Sequence, residues 1–401
     1  MRYSSFVDRI AGESVEAWKI HSEAMAAQRR GEDVIVLSVG DPEFSTAEPI
    51  VEQAVAALRA GDTHYSEMAG RSAVRVAIAR DHAERIGDWL TPANTILLAG
   101  AQNALFATSL CLCEAGDEIL VPEPMYLTYR ACIEGTGAVL VPVPVDAQTL
   151  RIDVDRIRAA VTKKTKALFY ATPCNPTGIV MSEEELSALR DIAVEHDLWV
   201  VSDEVYADIT FDHKTVSIAS LPDMRDRTVT IGSLSKSHAM AGWRAGWAIG
   251  PTTLICHMER LALCMLYGLP GFVQQAALLA IENRQKFVGE IRAHYLRRRD
   301  LVCAELETLQ ILQFRRPEAG MFVLVDVRAT GLSATEFAWR LFRETGVSVL
   351  DASPFGATIS GFVRLGLVVE EERLLEACRR IRRFVNSLEP PRQLGPSRSA
   401  G

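Results

Sequence analysis

The segment Ser233-Leu-Ser-Lys-Ser-His-Ala-Met-Ala-Gly-Trp-Arg244 decides the fold and the chemistry, because it places one lysine directly after a buried strand. The β-branched run 228–231 predicts that strand, and Lys236 follows it among serines, with Arg244 a short loop further on. An amine in a partly desolvated pocket beside another cation loses basicity and becomes a better nucleophile. The segment alone leaves two interpretations open, a lysine that forms a Schiff base beside a bound phosphate or a surface lysine in a serine-rich turn.

Two polar clusters elsewhere in the chain favour the first interpretation. Asn175-Pro-Thr-Gly178 follows the apolar run 167–171, and Asp203-Glu-Val-Tyr206 follows the apolar run 198–202. Open α/β sheets bind their ligands just past the carboxyl ends of their strands. Pyridoxal phosphate needs a lysine for its aldehyde, a carboxylate for its ring nitrogen, and donors for its phenolate oxygen and its phosphate. Residues at these strand ends supply most of those groups: Asn175, Asp203, Tyr206, Ser233, Lys236 and Arg244.

Strand and helix patterns alternate between residues 95 and 250. The helix pattern is clearest from Glu183 to His196, where Ser182 and Glu185 form a capping box. Such alternation predicts an α/β fold with a mostly parallel sheet flanked by helices. The predicted strands are residues 95–98, 118–121, 138–143, 167–171, 198–202, 228–231 and 245–249.

The last third of the chain predicts a smaller α/β region that follows a long helical one. The pattern of residues 252–308 is helical, and its strongest turn signal is Gly268-Leu-Pro-Gly271. Residues 389–401 are rich in proline, glycine, serine and arginine, so we expect a disordered tail. Between these segments, short strands (321–327, 347–350 and 362–367) are mixed with helices (334–344 and 371–386).

These motifs, in this order, resemble those of the class I and II aminotransferases, which belong to the fold-type I pyridoxal-phosphate enzymes. The resemblance extends from about residue 5 to about residue 388. It implies a large cofactor-binding domain of residues 48–290 and a small α/β domain formed by residues 1–47 and 291–388. It also implies an enzyme that binds pyridoxal 5'-phosphate and moves amino groups between amino acids and 2-oxo acids.

The resemblance assigns the catalytic roles. Lys236 bonds the cofactor's aldehyde and later carries a proton between the substrate Cα and the cofactor carbon C4′. Asp203 keeps the pyridine nitrogen protonated, and Tyr206 and Asn175 donate to the phenolate oxygen. The alternatives are an aspartate that begins a helix and an Asn-Pro-Thr-Gly sequence that only forms a turn.

The phosphate site is expected between the strand that ends at Leu98 and a helix that begins at Asn103. The intervening Gly100, Ala101 and Gln102 carry no side-chain hydroxyl, so their contribution would be backbone N–H groups, which bind phosphate at a helix N-terminus. Ser233 and Arg244 would complete this phosphate site.

The resemblance also assigns residues to the cofactor ring, the substrate and the subunit boundary. Tyr126 matches the aromatic residue that stacks on the cofactor ring, although a core tyrosine after a strand is the alternative. Tyr65 matches a tyrosine that reaches the phosphate of the neighbouring subunit, which implies a homodimer with shared active sites. Gly40 would lie beside the substrate together with Asn175. Arg364 matches the arginine that binds the substrate α-carboxylate through two parallel hydrogen bonds.

Within the family, the segment 233–247, Leu261-Ala-Leu-Cys-Met-Leu-Tyr-Gly268 and Leu37-Ser-Val-Gly-Asp-Pro42 most resemble the arginine–pyruvate transaminases. Relatives specific for dicarboxylates place an arginine near the start of the segment that corresponds to 264–267, and this chain has none there. We therefore expect a guanidino amino acid as donor and a 2-oxo acid such as pyruvate as acceptor. The guanidino end needs an acidic or aromatic partner, for which Glu13, Glu43 and Glu67 are candidates, although each is also typical of a solvated surface charge.

Other functions on the same scaffold stay open. The chain could be a biosynthetic aminotransferase for a cyclic guanidino amino acid of the enduracididine type. A lyase, oxidase or cyclase would use the same core residues, because the pocket selects which bond breaks. A cofactor-sensing regulator is disfavoured, because such proteins add a DNA-binding module and residues 1–388 are already assigned.

The charge and hydropathy of the chain argue against two classes of partner, nucleic acids and membranes. The 401 residues carry a net charge of −8 without a run of five basic residues, so no nucleic-acid partner is expected. There is no run of eighteen apolar residues and no apolar core at the amino terminus, so we expect no membrane partner and a cytoplasmic location.

The eight cysteines form no Cys-x-x-Cys pair, and we expect buried free thiols. Cys111, Cys113, Cys256 and Cys264 lie in apolar helical runs, and Cys174 beside the cofactor pocket is assigned a packing role. The histidines lack metal-ligand spacing, so no metal is expected.

Overall fold

The structure is a computed structural model that describes residues 1–11 and 18–388. The predicted disordered tail, residues 389–401, therefore lies outside the described residues, as does Glu13. The strands are β1 (Ile35–Val36), β2 (Thr95–Ala99), β3 (Glu118–Glu123), β4 (Val139–Pro144), β5 (Thr165–Ala171), β6 (Trp199–Asp203), β7 (Thr228–Ser233), β8 (Ala245–Ile249), β9 (Gln313–Phe314), β10 (Phe322–Asp326), β11 (Val347–Ser348), β12 (Leu350–Asp351) and β13 (Phe362–Gly366).

Helices surround these strands. They are α1 (Ser5–Ile10), α2 (Lys19–Arg29), α3 (Glu48–Arg59), α4 (Ser72–Ile86), α5 (Ala101–Leu112), α6 (Tyr129–Gly135), α7 (Val154–Ala160), α8 (Glu183–Glu195), α9 (Thr252–Met265), α10 (Gly271–Glu282), α11 (Arg284–Glu307), α12 (Ala334–Thr345) and α13 (Glu371–Ser387). Short 3-10 turns lie at Pro92–Asn94, Ile218–Ser220, Ala241–Trp243, Arg328–Thr330, Ser353–Phe355 and Ala357–Ile359.

The large sheet contains seven strands in the order β2-β8-β7-β6-β5-β3-β4. All neighbouring strands run parallel except β8, which is antiparallel to both β2 and β7. The central strands β5, β6 and β7 are buried on both faces along most of their length, as parallel strands between helices require. The predicted α/β class with a mostly parallel sheet is confirmed, and every predicted strand end of this sheet is correct to within two residues.

A second sheet is antiparallel and has the order β12-β13-β10-β9. The predicted strand 347–350 is wrong as a single element. Its first part, β11, pairs in parallel with β1, whereas its second part, β12, pairs with β13. The boundaries of the two predicted domains stay a prediction.

The helix predictions hold in part. The capping box of α8 is confirmed, because the Glu185 backbone N–H donates to Ser182 Oγ at 3.2 Å and the Ser182 N–H donates to the Glu185 carboxylate at 2.7 Å. The region 252–308 forms three helices, and the sequence missed the break at Asn283. The predicted helix start at Asn103 is wrong. Gly100, with a φ of 82°, is the N-cap, so α5 already begins at Ala101.

All eight cysteines are free, but the prediction that they are buried is wrong for several. Cys256 and Cys264 are exposed, and Cys111 and Cys174 are only half-buried. In the described part of the chain, no helix is long and apolar enough to cross a membrane. Those same residues contain no group of three or more His, Cys, Asp or Glu side chains placed to hold a metal ion.

Glu318 connects the segment between the two C-terminal strands β9 and β10 to the loop that follows β5. Its carboxylate accepts hydrogen bonds from Arg151 Nη2 at 2.8 Å and from the Val180 N–H at 2.9 Å. Its backbone N–H donates to the Gly178 carbonyl at 3.0 Å. Since this loop also contains Asn175, which lines the cavity described below, Glu318 supports one wall of that cavity.

Replacing Glu318 with alanine should lower the free energy of unfolding by roughly 2 kcal/mol, because the half-buried Arg151 loses one of its two carboxylate partners and the Val180 N–H loses its acceptor. Chemical denaturation monitored by circular dichroism measures this loss. The matched control is Glu307→Ala, at the exposed end of α11, which should change stability by less than about 0.5 kcal/mol. Equal stability of the two variants would contradict the bridging role.

Candidate active site

A cavity of about 320 Å³ lies where β5, β6 and β7 end, and the antiparallel sheet closes its other side. Two predicted site residues do not line it, since Gly100 lies directly behind its wall and Tyr65 lies outside. The structure brings the other predicted residues together around it: Gly40, Ala101, Gln102, Tyr126, Asn175, Asp203, Tyr206, Ser233, Lys236, Arg244 and Arg364.

Lys236 lies in the turn after β7 and points into the cavity rather than into solvent. Its Nζ donates to the Gly40 carbonyl at 2.6 Å. Burial lowers its pKa to about 8, and the positive charges of Arg364 and Arg244 act in the same direction, against the opposing effect of Asp41. A substantial fraction of this amine is therefore neutral near pH 8, as a nucleophile requires.

Gly40 is required at its position. A Cβ atom there would lie 2.6 Å from Cζ of Phe322, which forms part of the cavity wall.

Asp203 ends β6 and is buried at the floor of the cavity. Its carboxylate accepts hydrogen bonds from Tyr129 Oη at 2.8 Å and from the Val205 N–H at 3.2 Å. Burial raises its pKa to about 6, and these two hydrogen bonds limit the rise. Because a buried carboxylate favours a nearby cation, this position suits a protonated ring nitrogen.

Tyr129 was not predicted as a site residue. It follows Tyr126 by three residues at the start of α6, and its ring packs edge-on against Tyr126 with 5.9 Å between the centroids. The spacing was the available signal, because residues three apart in a helical turn share a face.

Tyr206 lines the same cavity as Asp203, although the intervening residues do not form the helix considered as an alternative. Residues 205–208 form turns, and the Tyr206 ring packs edge-on against Phe322 with 6.0 Å between the centroids. Burial raises the pKa of Tyr206, so its hydroxyl keeps its proton and can donate a hydrogen bond at neutral pH.

The predicted phosphate site combines a helix N-terminus with a folded-back arginine. Arg244 adopts a left-handed conformation with a φ of 54°, and its guanidinium donates to the carbonyl oxygens of Ala241 at 2.6 Å and Ala99 at 3.1 Å. Gly100 has a φ of 82°, which strains any other residue, and a Cβ atom there would also displace the Arg244 guanidinium.

The helix that follows offers backbone rather than side-chain donors to the cavity. The N–H groups of Ala101 and Gln102 belong to the first turn of α5, where no intrahelical acceptor exists. The side chain of Gln102 is turned away, since it accepts from Thr128 Oγ1 at 2.6 Å and donates to Cys132 Sγ at 3.2 Å.

Ser235 is a second residue that the sequence analysis omitted. Ser233 Oγ accepts from the Ser235 N–H at 3.0 Å and lies 2.7 Å from Ser235 Oγ, so both hydroxyls face the same end of the cavity. The signal was the Ser-x-Ser-Lys spacing, because both serines directly precede the lysine.

Arg364 lies in the middle of β13 and is only 2% exposed. Its Nη1 donates to Asn175 Oδ1 at 2.9 Å and its Nη2 to the Ser38 carbonyl at 3.4 Å, whereas its Nε has no partner within residues 1–11 and 18–388. The guanidinium also lies over the ring of Phe322, 4.1 Å from the centroid. Among the described residues no carboxylate pairs with it, and burial lowers its pKa to about 10.

Two of the candidate partners for a guanidino substrate, Glu43 and Glu67, do not reach the cavity. Glu43 forms an ion pair with the buried Arg298, and Glu67 accepts from Ser66 Oγ at 2.9 Å on the surface. Neither lines the cavity. Tyr65 is 83% exposed and packs against Tyr267, with 4.6 Å between the ring centroids.

The residues of the cavity fit pyridoxal phosphate. The first-turn N–H groups of α5, two serine hydroxyls and Arg244 form an anion site at one end. The carboxylate of Asp203 suits a ring nitrogen, the hydroxyl of Tyr206 suits a phenolate, and the neutral amine of Lys236 suits an aldehyde. The ring of Tyr126 lines the wall between these groups.

The family model described as aminotransferase class I and II matches residues 32–381. The chain belongs to this family, and it is an aminotransferase. Enzymes of the family use pyridoxal phosphate and act on amino acids and keto acids, so the resemblance seen in the sequence is confirmed.

Individual members of the family are similar to this chain over nearly its whole length. The chain is 49% identical over 382 residues to the arginine–pyruvate transaminase AruH of Pseudomonas aeruginosa, covering 95% of this chain and 97% of that protein. The aspartate aminotransferase of Thermus thermophilus, solved with maleate, superposes with a TM-score of 0.90 at 34% identity, covering 96% of this chain and all of that one (100%). An aromatic aminotransferase from Pyrococcus horikoshii gives 0.86 at 35% identity, covering 88% and 96%.

Replacing Asp203 with asparagine should stabilise the protein without cofactor at pH 8. The folded-state pKa of about 6 lies above the ordinary value of 3.8, so ionisation of Asp203 destabilises the empty fold as the pH rises from about 4 to above 6. A difference of about two pKa units corresponds to roughly 3 kcal/mol. Thermal unfolding of the two apoproteins at pH 5 and pH 8 measures this effect.

The gain in stability of Asp203→Asn should be full at pH 8 and smaller at pH 5. The same variant should bind pyridoxal phosphate more weakly. Asp197→Asn, an exposed carboxylate, is the control and should show no trend with pH. An Asp203→Asn apoprotein less stable than the wild type at pH 8 would contradict the assignment.

Proposed function

We propose that this aminotransferase moves the α-amino group of arginine, or of an arginine-like donor, to a 2-oxo acid such as pyruvate, with pyridoxal phosphate as cofactor. The observation that carries the reaction class is the juxtaposition of a buried, unpaired guanidinium at Arg364 with an amine of lowered pKa at Lys236. The observation that favours arginine is the 49% identity to a transaminase named for arginine and pyruvate.

Bound pyridoxal phosphate supplies a ring that accepts electrons when the Cα–H bond of the amino acid breaks. The chain's residues provide the remaining functions. The first turn of α5, Ser233, Ser235 and Arg244 hold the phosphate, and Tyr126 packs against the ring. Asp203 keeps the ring nitrogen protonated, while Asn175 and Tyr206 donate hydrogen bonds to the phenolate oxygen.

Lys236 acts as the base and then as the acid. Its ε-amine would take a proton from the substrate Cα and would later give a proton back, with the reverse transfer for the acceptor acid. A pKa near 8 suits both roles, since the group can gain and lose a proton near neutral pH.

Arg364 fixes the substrate during this transfer. An incoming α-carboxylate gives the guanidinium the anion that the described part of the protein does not provide, and it can accept from the free Nε. Because the carboxylate is held, the Cα–H bond stays within reach of Lys236. Gly40 leaves space for the substrate beside that amine.

The donor preference is tested by an amino-donor screen with pyruvate, in which alanine formation is measured. We expect turnover with arginine and arginine-like donors and little with aspartate, because the segment 264–267 contains no arginine for a second carboxylate. Brisk turnover of aspartate would contradict the substrate assignment. Ammonia or a cleaved side chain, formed without pyruvate, would instead support the oxidase or lyase alternative, and a preference for cyclic guanidino donors would support the biosynthetic one.

We further propose a homodimer in which Tyr65 reaches the phosphate bound by the partner subunit. Tyr65 and Tyr267 together expose a large aromatic surface, which is typical of an interface rather than of a free surface. The cytoplasmic location expected from the sequence stays a prediction.

Mixed dimers test the shared site. Lys236→Ala and Tyr65→Ala should each be nearly inactive alone, because one lacks the amine and the other loses cofactor affinity. After the two are unfolded and refolded together, one site in each mixed dimer is intact, so about a quarter of the wild-type activity should return. No recovery, with dimers present by sedimentation, would show that Tyr65 does not act across subunits.

A further inference from the structure

Asp41 is the one acidic side chain of the described cavity wall that is not already engaged. The other, Asp203, is buried at the floor and accepts from Tyr129 and Val205. Asp41 is exposed at the opening of the cavity, and within the described residues its carboxylate has no hydrogen bond or ion pair. Its charge nevertheless acts on Lys236, which places it near the reacting amine.

The backbone that leads to Asp41 runs along the path of the substrate. The Ser38 carbonyl faces Arg364 Nη2 at 3.4 Å, and two residues later the Gly40 carbonyl accepts from Lys236 Nζ at 2.6 Å. Asp41 is the next residue. A substrate with its carboxylate on Arg364 and its α-carbon at Lys236 would therefore lie along this segment, and its side chain could extend toward Asp41.

An aromatic ring also lines the cavity. Trp18 lines the cavity, and its ring packs edge-on against His21 with 5.8 Å between the centroids. His21 is also the histidine on which the charge of Asp41 acts, and its Nδ1 lies 3.2 Å from Ser38 Oγ. Trp18 and Asp41 therefore both line the cavity, and His21, which contacts Trp18, is close enough to Asp41 to sense its charge.

We propose that Asp41 and Trp18 form the site for the guanidinium of the donor, with the carboxylate on its N–H edge and the indole on its face. A guanidinium is planar, donates in pairs to carboxylates and stacks on aromatic rings, so these two groups match it more closely than they match an ammonium or an apolar chain. This inference rests on the proposed function, because it explains how an arginine-like donor is recognised.

Binding of an unreactive probe tests the site without turnover. 5-Guanidinopentanoate carries the carboxylate and the guanidinium of the substrate but no α-amine, and hexanoate is its apolar counterpart. By calorimetry on the holoenzyme, Asp41→Asn should weaken binding of 5-guanidinopentanoate about 10- to 100-fold, the range for one charge-assisted hydrogen bond. Binding of hexanoate should stay unchanged. Trp18→Leu should weaken binding of 5-guanidinopentanoate by a smaller factor.

Kinetics give a second readout. Asp41→Asn should raise KM for arginine far more than it lowers kcat, and Asp41→Glu should restore part of the loss. Glu32→Gln, an exposed pair of Arg30, removes the same charge away from the cavity and should leave both probes unaffected. Loss of arginine selectivity on Glu67→Gln instead would overturn the proposal.

The outcomes separate the inference from the function on which it rests. If the wild type forms no alanine from arginine and binds both probes equally, the proposed function fails and the inference with it. If the wild type selects the guanidino probe and Asp41→Asn retains that selectivity, only the inference fails. Equal loss of both probes on Asp41→Asn would indicate a structural role and would likewise overturn it.

Discussion

The buried guanidinium of Arg364 is the constraint around which this site is arranged. A fixed cation removed from water is unfavourable unless an anion faces it. Within the described chain it has two oxygen acceptors, from Asn175 and Ser38, and two aromatic faces, from Phe322 and Phe355. The described residues provide no negative charge for it, and every α-amino acid and 2-oxo acid carries one.

The fold sets the distance between this cation and the reacting amine. Arg364 lies on the antiparallel sheet, whereas Lys236 follows the end of β7 in the large sheet. Asn175, in the loop after β5, is hydrogen-bonded to Arg364, so the two sheets meet at the site itself. A shift of one sheet against the other would change the position of the substrate carboxylate relative to Lys236, and Glu318 opposes such a shift from the far side of the same loop.

Much of this arrangement could be predicted from the sequence, for a physical reason. Parallel strands buried on both faces are continuous apolar runs, so their ends are sharp, and the polar residues that follow those ends meet at one edge of the sheet. Asp203 and Lys236 were found in this way. The start of α5 at Ala101 was missed because the signal, a glycine that serves as N-cap, is as compatible with a loop as with a helix.

The residues that the sequence did not reveal are those whose contacts depend on tertiary packing. Tyr129 begins the short helix α6, and its spacing from Tyr126 indicates a shared face but not that its hydroxyl reaches Asp203. Trp18 and Asp41 lie outside the large sheet, so the strand-end argument does not apply to them. Glu43 and Glu67 were equally plausible partners for a guanidino substrate as far as the sequence shows. Only the structure reveals that Glu43 pairs with Arg298 and that Glu67 lies on the surface beside Ser66.

Burial shifts the pKa values of Lys236, Asp203 and Arg364 toward their neutral forms, so each charge is unfavourable in the empty cavity. The order in which these charged groups line the cavity determines which ligand can stabilise their charged forms. Arg244 and the helix N-terminus favour an anion, Asp203 favours a cation, and Arg364 favours a second anion. A phosphorylated pyridinium together with an amino acid carries these charges in that order, so binding stabilises the fold and assembles the reacting groups at once. Asp41 adds one further negative charge to the protein, and this charge favours a cation at the far end of the donor. An apolar donor would leave that carboxylate without a partner, whereas a guanidino donor would not.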